Sequence, residues 1–100
     1  MNLTNEDIIK KNFSRNIRYL RLSRTPKLSQ KMLARILGVT VRSISRYESA
    51  DCLPTSYVLV TMATYFGYTT DELLSEKLPF MKGSERYNEN LTSGNQAQNT

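Results

Sequence analysis

The segment over residues 29–48 constrains the fold most, because its sequence is typical of two short helices joined by a three-residue turn. Ser29 and Thr40 are good N-cap residues, since a hydroxyl oxygen can accept a hydrogen bond from a backbone N–H that the first turn leaves unpaired. Gly38 stands where the first of these helices should end in left-handed backbone. The small Ala34 lies where the two helices would cross. The sequence therefore predicts two capped helices that approach each other closely.

Three further helices are predicted, which makes the chain all-α with five helices. The first begins after Thr4 or Asn5 and ends before Pro26, because proline disfavours helix in the residue that precedes it. The fourth begins after Thr55 or Ser56. Helical spacing places the following apolar side chains inside: Ile9, Phe13, Ile17, Leu20, Leu33, Leu37, Ile44, Tyr47, Leu59, Met62, Ala63 and Phe66.

A short fifth helix, capped by Thr70, is predicted over residues 71–75, with Leu73 and Leu74 buried. Beyond it, residues 82–100 are rich in Gly, Ser, Asn, Gln and Thr, and such a segment buries too little apolar surface to order itself. We therefore expect a folded domain over residues 1–81 and a flexible tail over residues 82–100. The apolar cluster at residues 78–81 either seals the core or joins a dimer contact.

The charge is distributed unevenly along the chain. The net charge is +5, and residues 8–47 hold eleven of the 14 basic residues and no acidic one. A stretch of this kind repels itself, and binding to a polyanion is the ordinary reason for it. The alternative is a solvated surface that happens to be basic.

The predicted third helix has an outward face of arginines and small side chains. Its members are spaced i, i+1, i+4, i+5 and i+8, and they are Val41, Arg42, Ser45, Arg46 and Ser49. The major groove of duplex DNA is about 12 Å wide and admits one helix, and arginine offers a bidentate fork to guanine O6 and N7. This face is therefore typical of a major-groove reader.

The segment resembles the phage-repressor helix-turn-helix family of the lambda-repressor and Cro type (XRE). The resemblance covers roughly residues 16–74. The matching elements are Ser29-Gln30, Leu33-Ala34, Leu37-Gly38-Val39-Thr40, Ser43-Ile44-Ser45-Arg46-Tyr47-Glu48, Pro54, Ala63, Phe66-Gly67 and Asp71-Glu72-Leu73. The resemblance implies a five-helix bundle that binds duplex DNA in a sequence-specific way as a transcriptional regulator, and we expect a repressor.

The resemblance also assigns roles to single residues. Base contacts fall on Val41, Arg42, Ser45 and Arg46. Phosphate contacts fall on Gln30, Lys31, Ser43 and Ser49. The family often pairs a late arginine of the first helix with the glutamate that ends the recognition helix; here these are Arg21 and Glu48, which either pair or remain separate surface charges.

The sequence departs from the family pattern in two places. The link over residues 23–28 is about two residues longer than is usual in the family. Ala50 stands where the family often has glycine, and Asp51 and Cys52 stand where it often has basic residues. Asp51 would face a phosphate unfavourably if this loop approached the DNA backbone.

Other classes of function fit the sequence less well. With no histidine, no glycine-rich phosphate loop and Cys52 alone, we expect neither an enzyme nor a cofactor or metal site, and no internal disulfide. The main alternative is a protein-interaction module, such as an antitoxin or an antagonist, that keeps the fold without the groove contacts. RNA is a weaker candidate, because the A-form major groove is too narrow for a helix.

Partners and location are expectations too. No run of 18 apolar residues and no signal peptide is evident, so we expect no membrane span and a reducing cytoplasm. One module contacts few base pairs, and therefore we expect a homodimer on DNA. Its contact surface would be the fifth helix with Leu73, Leu78, Phe80 and Met81.

Overall fold

The computed structural model describes residues 5–79 as five α-helices, and within these residues there is no β-strand. The helices are α1 (Asn5–Leu22), α2 (Gln30–Leu37), α3 (Val41–Glu48), α4 (Ser56–Phe66) and α5 (Thr70–Leu73). The predicted all-α fold of five helices is thus confirmed. The predicted boundary after residue 81 and the predicted tail lie outside the described residues.

The ends of α2 and α3 follow from their capping residues. The Ser29 hydroxyl accepts the Met32 N–H at 3.0 Å, and Gly38 ends α2 in left-handed backbone with φ 72°. Thr40 then caps α3, because its hydroxyl oxygen accepts the Ser43 N–H at 3.1 Å. These local bonds fix the short turn that joins the two helices.

The fifth helix begins one residue earlier than the sequence suggested. Thr69, rather than Thr70, is its N-cap: the Thr69 hydroxyl accepts the Glu72 N–H, and the Glu72 carboxylate accepts the Thr69 N–H, both at 3.0 Å. This reciprocal capping box satisfies two backbone donors at once, which Thr70 with Leu73 three residues later could not do. The prediction of Thr70 as the cap was therefore wrong.

The core draws apolar side chains from all five helices. Its fully buried large side chains are Phe13, Ile17, Leu33, Ile44, Met62 and Leu73. Tyr47 is also buried and meets Phe13 edge to face, with 6.1 Å between the ring centroids. In α4 the inner face differs slightly from the prediction, because Val58 is buried whereas Leu59 is only partly buried against the core.

Two buried asparagines of α1 hold the end of α5. The Asn16 side-chain amide donates to the carbonyls of Leu73 and Ser75 at 2.8 and 2.9 Å, and Asn12 donates to Leu74 at 3.1 Å. The last carbonyls of a helix have no partner within it, so these amides supply donors that α5 itself lacks. The first and last helices are thereby joined by hydrogen bonds as well as by apolar packing.

The long link between α1 and α2 is anchored to α4. The Arg24 guanidinium lies 4.5 Å from the centre of the Tyr65 ring and 5.5 Å from that of Phe66, and it donates to the Tyr65 carbonyl. Cation–π contacts of this kind hold the extra residues of the link against the domain.

Among residues 5–79, no helix has both the length and the apolar composition that a membrane span requires.

Candidate nucleic-acid interface

The third helix is held to the core by one face and presents the other to solvent. Ile44 and Tyr47 are buried, whereas Arg42, Ser45 and Arg46 are exposed. Val41 is 43% exposed although it is apolar, and it opens the same outward face. The structure therefore brings all four predicted base-contacting residues to the solvent side of α3.

A buried ion-pair network fixes the position of α3 relative to α1 and α2. The Glu48 carboxylate accepts hydrogen bonds from Arg21 Nε at 2.6 Å, Arg21 Nη2 at 2.9 Å and Gln30 Nε2 at 3.0 Å. Arg21 Nη1 donates to the Leu28 carbonyl at 2.9 Å, so the link is tied to the same network. Of the two alternatives left open by the sequence, the structure has the paired one, and the longer link does not prevent it.

The same network makes the outer surface of α2 and α3 cationic. Glu48 is the only acidic residue of these two helices, and its side chain is just 5% exposed, against Arg21. The basic side chains of the two helices all remain exposed, and they are Lys31, Arg35, Arg42 and Arg46. A surface on which the one acidic residue of the two helices is buried and paired attracts polyanions.

The predicted phosphate-contacting residues lie on α2 and along α3, and three of them already make internal contacts. Gln30 is half-buried beside Glu48, and Lys31 is exposed. The Ser43 hydroxyl accepts from the Thr40 hydroxyl at 3.0 Å, and the Ser49 hydroxyl donates to the Arg46 carbonyl at 3.1 Å. These side chains are therefore oriented before any ligand binds.

A Schellman turn ends α3. The Asp51 N–H donates to the Arg46 carbonyl at 3.0 Å and the Ala50 N–H donates to the Tyr47 carbonyl at 3.2 Å, which is the hydrogen-bond pattern of this motif. Ala50 has φ 64° and is the only residue other than glycine with a left-handed φ among residues 5–79. The position thus requires the backbone conformation that explains why the family often has glycine there.

The turn places Asp51 against the exposed face of α3. Arg46 Nε donates to Asp51 Oδ2 at 2.8 Å, and the two side chains are 51% and 58% exposed. This hydrogen bond lowers the pKa of Asp51 and raises the pKa of Arg46. Burial raises the pKa of the neighbouring Tyr47, which keeps its hydroxyl neutral. The sequence pattern did not indicate this pair, because the two residues come together only through the backbone of Ala50.

One residue of the predicted dimer surface is not accessible in the structure. Leu73 has 0% exposure in the core and so cannot contact a second copy; its inclusion was wrong, because its apolar surface is already used inside the domain. Leu78 is half-buried, while Phe80 and Met81 lie outside the described residues. Exposed apolar side chains lie on each of the helices α1 to α4, and the two on α4 are Tyr57, which is 77% exposed, and Val60, which is 54% exposed.

Comparison with known proteins agrees with this geometry. The family model described as helix-turn-helix matches residues 17–73, which extend from the middle of α1 through α5 and include the whole of α2 and α3. Neither a curated protein nor a solved structure matches the chain significantly.

Proposed function

Because the chain belongs to the helix-turn-helix family of the lambda-repressor and Cro type (XRE), whose members are DNA-binding transcription regulators, we propose that α3 is its recognition helix and reads base pairs in the major groove. The observation that carries this proposal is the cationic outer surface of α2 and α3, on which the single acid, Glu48, is buried. A helix with this surface fits a groove about 12 Å wide that is bordered by phosphates.

The exposed side chains of α3 differ in chemistry and would contact different groups on the base edges. Arg42, in the first turn, has no ion-pair partner among residues 5–79, so all its donors are available to a guanine edge. Val41 is apolar and exposed, and it suits the methyl group of thymine. Ser45 donates to or accepts from either kind of base edge, and Arg46 reaches a neighbouring base pair.

The phosphate contacts would position the helix and carry no base information. Gln30 Nε2 uses one N–H on Glu48 and retains a second N–H that can donate to a phosphate oxygen. Lys31 follows it on the exposed surface of α2. Ser43 and Ser49 lie near the two ends of α3, where a helix in the groove meets the bordering strands.

We further propose that the protein acts as a repressor and binds as a homodimer. A protein that occupies a site in the groove blocks other proteins there without needing any activating surface. The exposed Tyr57 and Val60 lie on α4, which has no charged residue, so two copies can approach there without the repulsion that the basic helices would cause. Two-fold pairing would double the readout across half-sites about 34–36 Å apart.

The test begins with selection of bound duplexes from a random library, followed by titration by fluorescence anisotropy at several salt concentrations. If about 4–6 phosphates are neutralised per subunit, the slope of log affinity against log salt should be about −4 to −5 per subunit. Arg42→Ala should cost about 1–3 kcal/mol on the selected site and relax the preference at one base pair. Arg18→Ala, an exposed arginine of α1, is the charge-matched control and should change affinity without changing base preference.

Two results would contradict the proposal. Absence of binding at low salt would favour the protein-interaction alternative, in which the fold serves an antitoxin or antagonist. A uniform loss of affinity for Arg42→Ala over all base variants would make Arg42 a backbone contact and remove it from the readout. Analytical ultracentrifugation of the complex tests the dimer, which Tyr57→Ser should weaken if α4 is the contact.

A further inference from the structure

We propose that Asp51 is a positioning residue, which holds Arg46 for base readout and keeps its guanidinium away from the phosphate backbone. The inference rests on the proposed function of α3. Among residues 5–79, it concerns the one place where an acidic side chain pairs with a residue on the exposed face of that helix.

The geometry of the pair leaves one edge of the guanidinium available. Asp51 Oδ2 accepts from Arg46 Nε at 2.8 Å, so the N–H nearest the side-chain stem is used. The two Nη groups remain, and they form a planar pair of donors that matches the O6 and N7 acceptors of guanine. When Nε is bound to Asp51, the two Nη groups of the arginine can still donate to a base, but the N–H of Nε can no longer donate to a phosphate.

The backbone keeps the two partners together. The Schellman turn bonds the Asp51 N–H to the Arg46 carbonyl at 3.0 Å, and Ala50 adopts the left-handed φ that this turn requires. The Asp51 carboxylate thus stays within reach of Arg46 whether or not DNA is present. An unrestrained arginine side chain loses rotamer freedom when it binds, and a preset partner reduces that loss.

Charge supports the same assignment. The hydrogen bond lowers the pKa of Asp51 and raises the pKa of Arg46, because each group stabilises the charged form of the other. Arg42, one turn earlier, has no such partner among the described residues. In the free protein the pair is exposed and weak, but exclusion of water on docking strengthens it.

The experiment compares Asp51→Ala and Asp51→Asn with the wild-type protein, alone and combined with Arg46→Ala. Each variant is titrated against random-sequence duplex and against every single-base variant of the selected site. Asp71→Asn, an exposed acid of α5, controls for the change in net charge. Both Asp51 variants should melt like the wild type, because the altered side chain is exposed.

For Asp51→Ala we expect tighter binding to random duplex and a salt slope that is steeper by about 1 per subunit, because Arg46 becomes free to bind phosphate. Discrimination at the base pair read by Arg46 should fall about three- to tenfold, which is part of what one bidentate contact contributes. Asp51→Asn should show the same gain on random duplex with a smaller loss of discrimination, since its amide oxygen can still accept from Nε. In the Arg46→Ala background, Asp51→Ala should no longer change base preference.

The inference is overturned if Asp51→Ala raises affinity for all sequences equally and leaves base preference intact, since Asp51 would then only repel phosphate. It is also overturned if base preference shifts as much in the Arg46→Ala background. Failure of the proposed function is distinguishable, because the wild-type protein would then show no salt-dependent binding to duplex DNA at all.

Discussion

Replacement of Glu48 by alanine tests the network that fixes α3 in the domain. The carboxylate accepts three hydrogen bonds, two of them from the Arg21 guanidinium, and the side chains of Arg21 and Glu48 are 11% and 5% exposed. Removing one member of a buried ion pair costs about 3–5 kcal/mol, because the remaining charge is left without a partner. Arg21 keeps its bond to the Leu28 carbonyl, and therefore we expect the lower end of that range.

A loss of about 3 kcal/mol should lower the melting temperature by about 12–24 °C, since each kcal/mol shifts a domain of this size by about 4–8 °C. Urea denaturation followed by far-ultraviolet circular dichroism would measure the free energy of unfolding, and the m-value should not change. Glu48→Gln is the isosteric control: it keeps an acceptor oxygen but loses the charge, so it should cost about 1–2 kcal/mol.

The double variant Arg21→Met with Glu48→Leu distinguishes the cost of a buried, unpaired charge from the cost of lost side-chain packing. It removes both charges and keeps apolar volume, so it should be more stable than Glu48→Ala alone. The reasoning fails if Glu48→Ala costs less than about 1 kcal/mol, or if the double variant is the less stable of the two. Either result would mean that the hydrogen bonds and charges of the network add little to stability beyond the packing of the methylene groups of Arg21 and Glu48.

Three further predictions concern stability and domain extent. Ala50→Gly should raise the free energy of unfolding in urea by about 0.5–1 kcal/mol, because glycine removes the strain of alanine in left-handed backbone, and this gain exceeds the cost of a more flexible unfolded chain. A lower free energy of unfolding would mean that this turn accommodates a Cβ without strain. Asn16→Ala should destabilise by about 2–3 kcal/mol in the same assay, because the carbonyls of Leu73 and Ser75 lose their donor, and a change below about 0.5 kcal/mol would contradict this. Truncation after Met81 should leave the calorimetric melting temperature and the DNA affinity unchanged, since residues 82–100 offer little apolar surface, and a drop in either would reveal an ordered segment.

The helix-turn-helix could be predicted from the sequence because its signals are local. Ser29, Gly38 and Thr40 act within one helical turn of their own positions, so their spacing alone indicates where α2 and α3 begin and end. The same kind of signal existed for α5, where Thr69 is followed by Glu72 at capping-box spacing, but the adjacent Thr70 offered a second cap.

Long-range relations could not be predicted in this way. Apolar periodicity marks Leu73 as a residue that needs a partner surface, but it does not tell whether that surface belongs to the same domain or to a second copy. The pair of Arg46 and Asp51 depends on the backbone of Ala50, whose left-handed φ brings together two side chains five positions apart. The four base-contacting and four phosphate-contacting assignments remain predictions.

The hydrogen bonds from Asn12 and Asn16 to the end of α5 have a consequence for the order of events during synthesis. They join residues that are separated by 57 to 62 positions, so α1 emerges from the ribosome long before its partners exist. Contacts of such separation slow folding, because the chain between them must be closed before they form. In a nascent chain the Asn12 and Asn16 amides therefore lack these carbonyl partners until residues 73–75 have been released. Docking of α5 onto α1 is consequently a late step, which follows the release of the whole helix-turn-helix segment.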